Sequence, residues 1–236
     1  MNRIALIAAL PSELRPLTHD WTHHDKIATG RVGNLDAVAV AAGIGEQAVL
    51  RACEHLVANA PIDTLVSLGY AGSLSCGLRV PDAVSVREVI DARTGETFPV
   101  TEPSQPSTNG LKPQRLVTVD HVANPEEKRR LAETHQATLV DMEAGTIARF
   151  ARDHNLGFLC FKAVTDGPND ELPDFNRFTT PDGRLRTAAF VTYALFHPRY
   201  WRILGELEKN SHAAARELAR CIVTNFASPS QPASVS

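Results

Sequence analysis

Three acidic residues each follow the carboxyl end of a run of apolar residues. They are Glu13, Glu143 and Asp166. Continuous apolar runs are typical of strands that are covered on both faces. Because ligands of open α/β sheets bind outside the carboxyl ends of the strands, we expect these three side chains to converge at one edge of a sheet. Carboxylates in different surroundings act as general acids, general bases or electrostatic stabilisers, so the pattern predicts acid–base catalysis.

The segments that would position these residues alternate between strand and helix patterns. The run Ile4–Leu10 predicts a buried first strand. Residues 26–32 and 35–42 predict a hairpin across the turn Gly33-Asn34. Over residues 46–58, apolar side chains recur at helical spacing. This alternation predicts an α/β protein.

Glycine-rich and irregular segments separate these elements. The segments 43–45 (G-I-G) and 69–72 (G-Y-A-G) predict turns at which the backbone approaches a ligand closely. Segment 94–113 is rich in Pro, Ser, Thr and Gly, which predicts a long functional or mobile loop. Helices are expected over 186–196 and 198–226, the second with an irregularity near Gly205. We predict one domain over residues 1–226 and a disordered tail over 227–236.

The composition narrows the class of protein. The 236 residues include 24 Lys and Arg against 27 Asp and Glu, a net charge of −3, and 6% are aromatic. Without a basic excess or a stacking platform, we predict no nucleic-acid partner. No apolar stretch approaches the ~20 residues of a membrane span. The four cysteines are scattered and read as reduced core thiols, so we expect a cytoplasmic enzyme.

Neither a metal nor another cofactor is predicted. The histidines form no H-E-x-x-H pattern of a zinc site. The glycines at 43 and 45 lack the third glycine and the spacing of a dinucleotide-binding fingerprint. A small-molecule substrate remains the expected ligand.

Four segments occur together in an order and spacing known from one superfamily. They are I-A-A-L-P-S-E at 7–13, V-S-L-G-Y-A-G-S-L at 66–74, V-D-M-E-A at 140–144 and A-V-T-D at 163–166. Through them the chain resembles the purine nucleoside phosphorylase and methylthioadenosine/S-adenosylhomocysteine nucleosidase superfamily, over about residues 3–168. The D-M-E-A motif and the later T-D pair are the most specific. The remainder, with P-R-Y-W at 198–201 and N-S-H-A at 210–213, is more similar to the branch that includes hopanoid-associated phosphorylases.

The resemblance implies a three-layer α/β/α fold around a central mixed sheet, and cleavage of the N-glycosidic bond of a purine nucleoside. Carried over to the matching positions, it implies that Glu13 positions and activates the attacking water. Glu143 would accept hydrogen bonds from the ribose hydroxyls, and Asp166 would donate a proton to purine N7. Breaking this bond leaves positive charge on the sugar and negative charge on the base, so the reaction needs groups of both kinds.

Further substrate-binding positions follow from the same resemblance. Met142 would lie under the sugar, and Ala71 and Gly72 would line a turn near the reacting carbon. The position at which nucleosidases stack adenine on a phenylalanine is Val122 here, next to Ala123. We therefore expect the base to be held differently.

The nucleophile can be water or phosphate, and the residues favour water. In hexameric phosphorylases an arginine that holds phosphate stands at the position of Ser67. Its absence, together with the presence of Glu13, favours hydrolysis, although Arg15 or Arg51 could still serve phosphate. Tyr70 replaces the small residue that is usual at its position, so the pocket there must differ.

Three functions remain open at this point. The leading one is hydrolysis of a 5′-substituted adenosine of the methylthioadenosine or S-adenosylhomocysteine type. The second is a phosphate-dependent phosphorylase that acts on a nucleoside with a large apolar 5′ group, such as adenosylhopane. The third is a nucleoside-binding protein without catalysis. The resemblance also implies a homodimer or a larger homo-oligomer.

Overall fold

A computed structural model of the chain describes residues 3–101, 110–172 and 199–227. The helix expected over 186–196 and all but the first residue of the expected tail lie outside the described residues. The strands are β1 (Arg3–Ala8), β2 (Thr22–His24), β3 (Ile27–Val32), β4 (Leu35–Ala41), β5 (Thr64–Ser73), β6 (Ala83–Asp91), β7 (Thr97–Pro99), β8 (Gln114–Thr118), β9 (Leu139–Asp141) and β10 (Gly157–Asp166). The helices are α1 (Pro11–Thr18), α2 (Glu46–Asn59), α3 (Pro125–His135), α4 (Ala144–Asp153) and α5 (Arg199–Phe226).

Helices cover both faces of the central sheet. Along β1, alternate side chains enter two different cores, because successive side chains of a strand point to opposite faces. Ala5 and Ile7 pack in the core that contains buried side chains of α2 and α4. Leu6 and Ala8 pack in the core that contains Leu14 of α1 and buried residues of α5. The predicted α/β/α layering is confirmed, and it explains why β1 is apolar from Ile4 to Ala8.

The sheet is mixed, as predicted. β1 pairs in parallel with β4 and β5, and β10 pairs in parallel with β5. β3 and β4 form the expected antiparallel hairpin. The carboxyl ends of β1, β5 and β10 therefore meet at the same edge of the sheet, which is where a ligand is expected.

Part of the sheet closes on itself. β5 pairs with β9 and β10, and the pairs β9–β8, β8–β6 and β6–β10 complete a ring of five strands. Gly72 on β5 lies between its two neighbours, Val140 on β9 and Asp166 on β10. The closure thus brings the ends of two strands that are distant in sequence against one glycine.

Some local predictions were wrong. Segment 69–72 is not a turn: Ala71 and Gly72 lie inside β5, because this segment pairs with β10 as far as Asp166. Segment 94–113 contains a short strand, β7, which pairs with β6. Helix α5 runs through Gly205 without a break. Cys76 is exposed, whereas the other three cysteines are buried as expected.

Candidate active site

A cavity of about 330 Å³ opens at the edge of the sheet where β1, β5 and β10 end. All eight residues that the sequence singled out line it. They are Glu13, Ala71, Gly72, Val122, Ala123, Met142, Glu143 and Asp166. The expected convergence of the three carboxylates on one site is therefore what the fold produces.

Glu13 is held by the backbone on two sides. It lies in the first turn of α1, and one oxygen, Oε2, accepts a hydrogen bond from the amide of Leu10 at 2.6 Å. The other oxygen, Oε1, accepts one from the amide of Tyr70 at 2.8 Å. Burial raises the pKa of Glu13 above its usual value, and these two hydrogen bonds offset part of that rise. The carboxylate is thus fixed in place and suited to accept a proton.

Gly69 makes this position of Glu13 sterically feasible. Its φ angle is +150°, a backbone conformation that glycine adopts readily. A Cβ atom at this position would lie 2.7 Å from Oε1 of Glu13. The glycine that sequence analysis assigned to a turn instead provides room for a carboxylate beside a strand.

Glu143 lies at the amino end of α4, two residues after the end of β9. Its Oε1 accepts a hydrogen bond from the amide of Gly45 at 3.0 Å. Burial and then the neighbouring Asp141 carboxylate raise the pKa of Glu143 to about 7, and the charge of Glu13 adds to the rise. An influence of Glu13 on Glu143 means that the two carboxylates share one electrostatic environment.

A buried lysine lies beneath these carboxylates. Nζ of Lys162 lies 2.8 Å from Oδ2 of Asp141, and both side chains are buried. Asp141 also accepts hydrogen bonds from Thr118 Oγ1 and from the amide of Ala144, the first residue of α4. Burial is the largest single influence on Lys162 and lowers its pKa, but Asp141 and the other groups around it, Glu143 among them, together outweigh burial and raise the pKa above its ordinary value. This cation also lowers the pKa of Glu13 and of Glu143 and offsets part of their burial.

Asp166 forms a second buried ion pair. Its Oδ2 accepts a hydrogen bond from Nζ of Lys128 in α3 at 2.6 Å, and its Oδ1 accepts one from Thr165 Oγ1 at 2.8 Å. Lys128 also donates to the carbonyl of Gly167 at 2.7 Å. A Cβ atom on Gly72 would lie 2.9 Å from Oδ2 of Asp166, so only glycine leaves room for this pair.

The wall around Val122 carries charge as well as apolar atoms. His121 lines the cavity next to Val122, and its two ring nitrogens contact Asp120 at 2.7 Å and Glu127 at 2.8 Å. Asp120, followed by Glu127, raises the pKa of His121, while burial lowers it. The segment in which nucleosidases carry a phenylalanine therefore presents a valine and an imidazole.

Sequence reasoning missed several residues of the cavity wall. Lys128 lies in a helix of mostly charged residues, yet it is three positions from the buried Leu131 and shares its inward face. That spacing was the one available signal. The other wall residues were given no role of their own, although most of them lie within or beside the motif segments: Ala9, Leu10, Ser12, Ile44, Val140, Asp141, Thr165, Leu172, Leu207 and Ser211.

The positions considered in connection with phosphate lie outside the cavity wall. Ser67 is fully buried within the sheet. Arg15 and Arg51 are exposed and do not line the cavity. Among the described residues, the cavity wall holds Lys128 and His121 as its basic side chains and no arginine.

The described residues lack two further features. None of their helices is long and apolar enough to cross a membrane. Within these residues, no group of three or more His, Cys, Asp and Glu side chains is arranged to hold a metal ion.

The fold is shared with several nucleosidases of known structure. S-adenosylhomocysteine nucleosidase from Streptococcus pyogenes, solved with 5-methylthiotubericidin, is 17% identical with a TM-score of 0.71, over 95% of this chain and 96% of that one. A methylthioadenosine/S-adenosylhomocysteine nucleosidase from Streptococcus pneumoniae, with a transition-state inhibitor, is 20% identical with a TM-score of 0.70, over 95% and 98%. Futalosine hydrolase from Helicobacter pylori is 13% identical with a TM-score of 0.65, over 95% and 97%.

The sequence also matches the model of one protein family. The model of the phosphorylase superfamily matches residues 2–125 and 117–195, which together make up most of the chain. The matched part contains all eight of the predicted site residues. With its mixed sheet and its carboxylate-lined cavity, the chain belongs to the phosphorylase superfamily.

Proposed function

We propose that this protein hydrolyses the N-glycosidic bond of a 5′-substituted adenosine and releases adenine. The chain is an enzyme of the nucleosidase and phosphorylase type, as its superfamily requires. The proposal of hydrolysis, as opposed to phosphorolysis, rests on one observation. A carboxylate fixed by two backbone amides, Glu13, lines the same cavity as Asp166 and the Met142-Glu143 pair.

Each carboxylate has a part that suits its surroundings. Glu13 accepts the proton of the water molecule that attacks the anomeric carbon, because its oxygens are fixed and its raised pKa makes it a better base. Glu143 accepts hydrogen bonds from the ribose hydroxyls, and Met142 lies against the sugar. Negative charge near the ring stabilises the positive charge that develops on the sugar. Asp166 lies where the base departs, beside Ala71 and Gly72.

The cavity wall supports water as the nucleophile. A phosphate ion is usually held by arginine side chains in a forked geometry, or by several backbone amides. The described wall lacks an arginine, and Ser67 is buried away from it. Two nearby amides, those of Leu10 and Tyr70, are already bonded to Glu13.

The wall also supports an apolar group on the 5′ carbon. Leu10, Ile44, Leu172 and Leu207 contribute apolar surface to the cavity. Burying apolar area contributes about 25 cal/mol per Å². We therefore expect methylthioadenosine, or a nucleoside with a larger apolar 5′ group, to be preferred over adenosine.

A screen of nucleosides in phosphate-free and phosphate-containing buffer tests this function. We expect methylthioadenosine or S-adenosylhomocysteine to release adenine at the same rate in both buffers, with a free ribose derivative as product. Strict dependence on phosphate, with a ribose 1-phosphate as product, would establish a phosphorylase instead. Tight binding of nucleosides without release of base from any of them would establish a binding protein.

A further inference from the structure

Lys128 lies at a buried position, where a charged side chain destabilises the protein unless a partner of opposite charge offsets the loss of hydration. Its side chain is 1% exposed, in a helix whose neighbouring charged residues face solvent. Removing a charge from water costs several kcal/mol, which a partner must offset. Asp166 provides that partner, at 2.6 Å.

The pair constrains what Asp166 can do. A carboxylate in a salt bridge accepts hydrogen bonds but has no proton to donate. Both of its oxygens already accept hydrogen bonds, Oδ2 from Lys128 and Oδ1 from Thr165. The acid that protonates the departing base is therefore better sought in a group that carries N–H bonds.

The Lys128 ammonium has such bonds. It carries three N–H groups, and its partners among the described residues are Asp166 and the carbonyl of Gly167. Its side chain forms part of the cavity wall. His121, the other basic side chain of the described wall, has both ring nitrogens against carboxylates, so it is less suited to this task.

We infer that Lys128 is the general acid that protonates N7 of adenine, while Asp166 accepts a hydrogen bond from the 6-amino group. This inference rests on the proposed function and adds a residue and a base preference to it. The edge of adenine presents N7 as an acceptor next to the amino group as a donor. The Lys128–Asp166 pair presents a donor next to an acceptor, so the two edges are complementary. A 6-oxopurine has an oxygen in place of the amino group, which would face the carboxylate.

The step balances without another reagent. The bond between N9 and the anomeric carbon breaks, and its electron pair moves into the base. N7 takes a proton from Nζ, which leaves a neutral amine on Lys128 and neutral adenine. The water oxygen bonds to the anomeric carbon, and its proton passes to Glu13. After release of the products, Glu13 loses this proton and Lys128 gains one from solvent.

Binding of the free bases tests the contact with N7 directly. We expect the wild-type protein to bind adenine about tenfold or more tightly than 7-deazaadenine, which lacks the N7 acceptor. In Lys128→Met this preference should vanish, while 7-deazaadenine binds as it does to the wild type. Calorimetric titration of both proteins with both bases measures the four dissociation constants. Adenine should also bind more tightly than hypoxanthine to the wild type.

Kinetics then separate proton transfer from positioning. With methylthioadenosine, Lys128→Met and Lys128→Arg should both lower kcat by about 10²–10⁴-fold, because arginine keeps the charge but holds its protons too firmly to donate one. Arg129→Met, at the adjacent exposed position of α3, should leave kcat unchanged. A preference for adenine that persists in Lys128→Met, or wild-type kcat in Lys128→Arg, would overturn the assignment.

Two other outcomes are also decisive. If Lys128→Met loses affinity for 7-deazaadenine as well as for adenine, the role of Lys128 is structural and the inference fails. If the wild-type protein neither binds adenine nor cleaves any adenosine derivative, the proposed function itself fails.

Discussion

Two backbone hydrogen bonds fix the position of the Glu13 carboxylate. Both of its oxygens accept backbone N–H groups, and it is 4% exposed. An amide in its place would turn an NH₂ group toward one of these amides and would also lose the ability to take a proton. Because the backbone donors remain in place, the effects of such a substitution can be attributed to the Glu13 side chain itself.

We expect Glu13→Gln to lower kcat by about 10²–10⁴-fold with methylthioadenosine. Because burial raises the pKa of Glu13, the wild-type kcat/KM should rise with pH through a value above that of an ordinary glutamate. Below that pKa the carboxyl is protonated and cannot accept a proton. Rates measured between pH 4 and pH 9 provide the check, with Glu54→Gln on the exposed face of α2 as the control. Near-wild-type turnover by Glu13→Gln would remove Glu13 from the mechanism.

The ionisation of Glu143 makes the stability of the folded protein depend on pH. Its pKa is about 7 in the folded protein, above its ordinary value of 4.5. Between these values the folded protein retains a proton that the unfolded chain has lost, so the stability falls as the pH rises through this window. Above pH 7 the free energy of unfolding is lowered by the full amount, and below pH 4.5 it is not lowered by this group.

We therefore expect Glu143→Gln to be more stable than the wild type at pH 8, by on the order of 1–3 kcal/mol. At pH 4 the two proteins should unfold at equal denaturant concentrations. Urea titrations at both pH values measure the free energies of unfolding. A variant that is less stable than the wild type at pH 8 would show that the Glu143 carboxylate is a net stabiliser.

At the scale of elements, β5 decides the shape of the site. Its carboxyl half was predicted to be a turn, because glycines punctuate loops more often than they serve strands. The pairing of β5 with β9 and β10 keeps it extended and places Gly72 against Asp166. Alternation of strand and helix was readable from local patterns, but the use of a glycine inside a strand depends on which strands lie beside it.

Replacement of Gly72 tests this element. In Gly72→Ala the new methyl group would lie 2.9 Å from Oδ2 of Asp166 and 3.1 Å from Cγ1 of Val140. We expect a loss of about 1–3 kcal/mol of stability and a kcat at least tenfold lower, since the ion pair must shift. Gly205→Ala in α5 meets no atom within 4 Å and should stabilise the protein by up to about 1 kcal/mol. Thermal unfolding measures the stability of both variants, and steady-state assays measure their kcat. Unchanged activity in Gly72→Ala would contradict the expectation.

At the scale of the whole molecule, pairing between strands that are distant in sequence assembles the site. Glu13, Glu143 and Asp166 come from three separate parts of the chain, and the parallel pairing of β1, β5 and β10 brings two of them to one edge. Helices α3 and α4 then add Lys128 and Glu143. Catalysis of the proposed kind thus depends on long-range pairing rather than on any one motif.

The resemblance to the nucleosidase superfamily also predicts a homodimer or a larger homo-oligomer. We expect light scattering after size-exclusion chromatography to give at least twice the mass of one 236-residue chain. Dilution over a hundredfold range should separate a stable assembly from a weak one. A monomer at every concentration would contradict this prediction.

The sequence by itself determined the α/β class and the candidate carboxylates. Apolar runs that are buried on both faces and acidic residues at strand ends are local patterns, and the D-M-E-A motif placed Met142 and Glu143 without a structure. Only the tertiary structure decided the partners of these residues. Lys128 reads as one charge among several in α3, and the packing of Leu131 turns it inward to Asp166. The physical reason is that the energy of a charge depends on its surroundings, and those surroundings are formed by segments far apart in the chain.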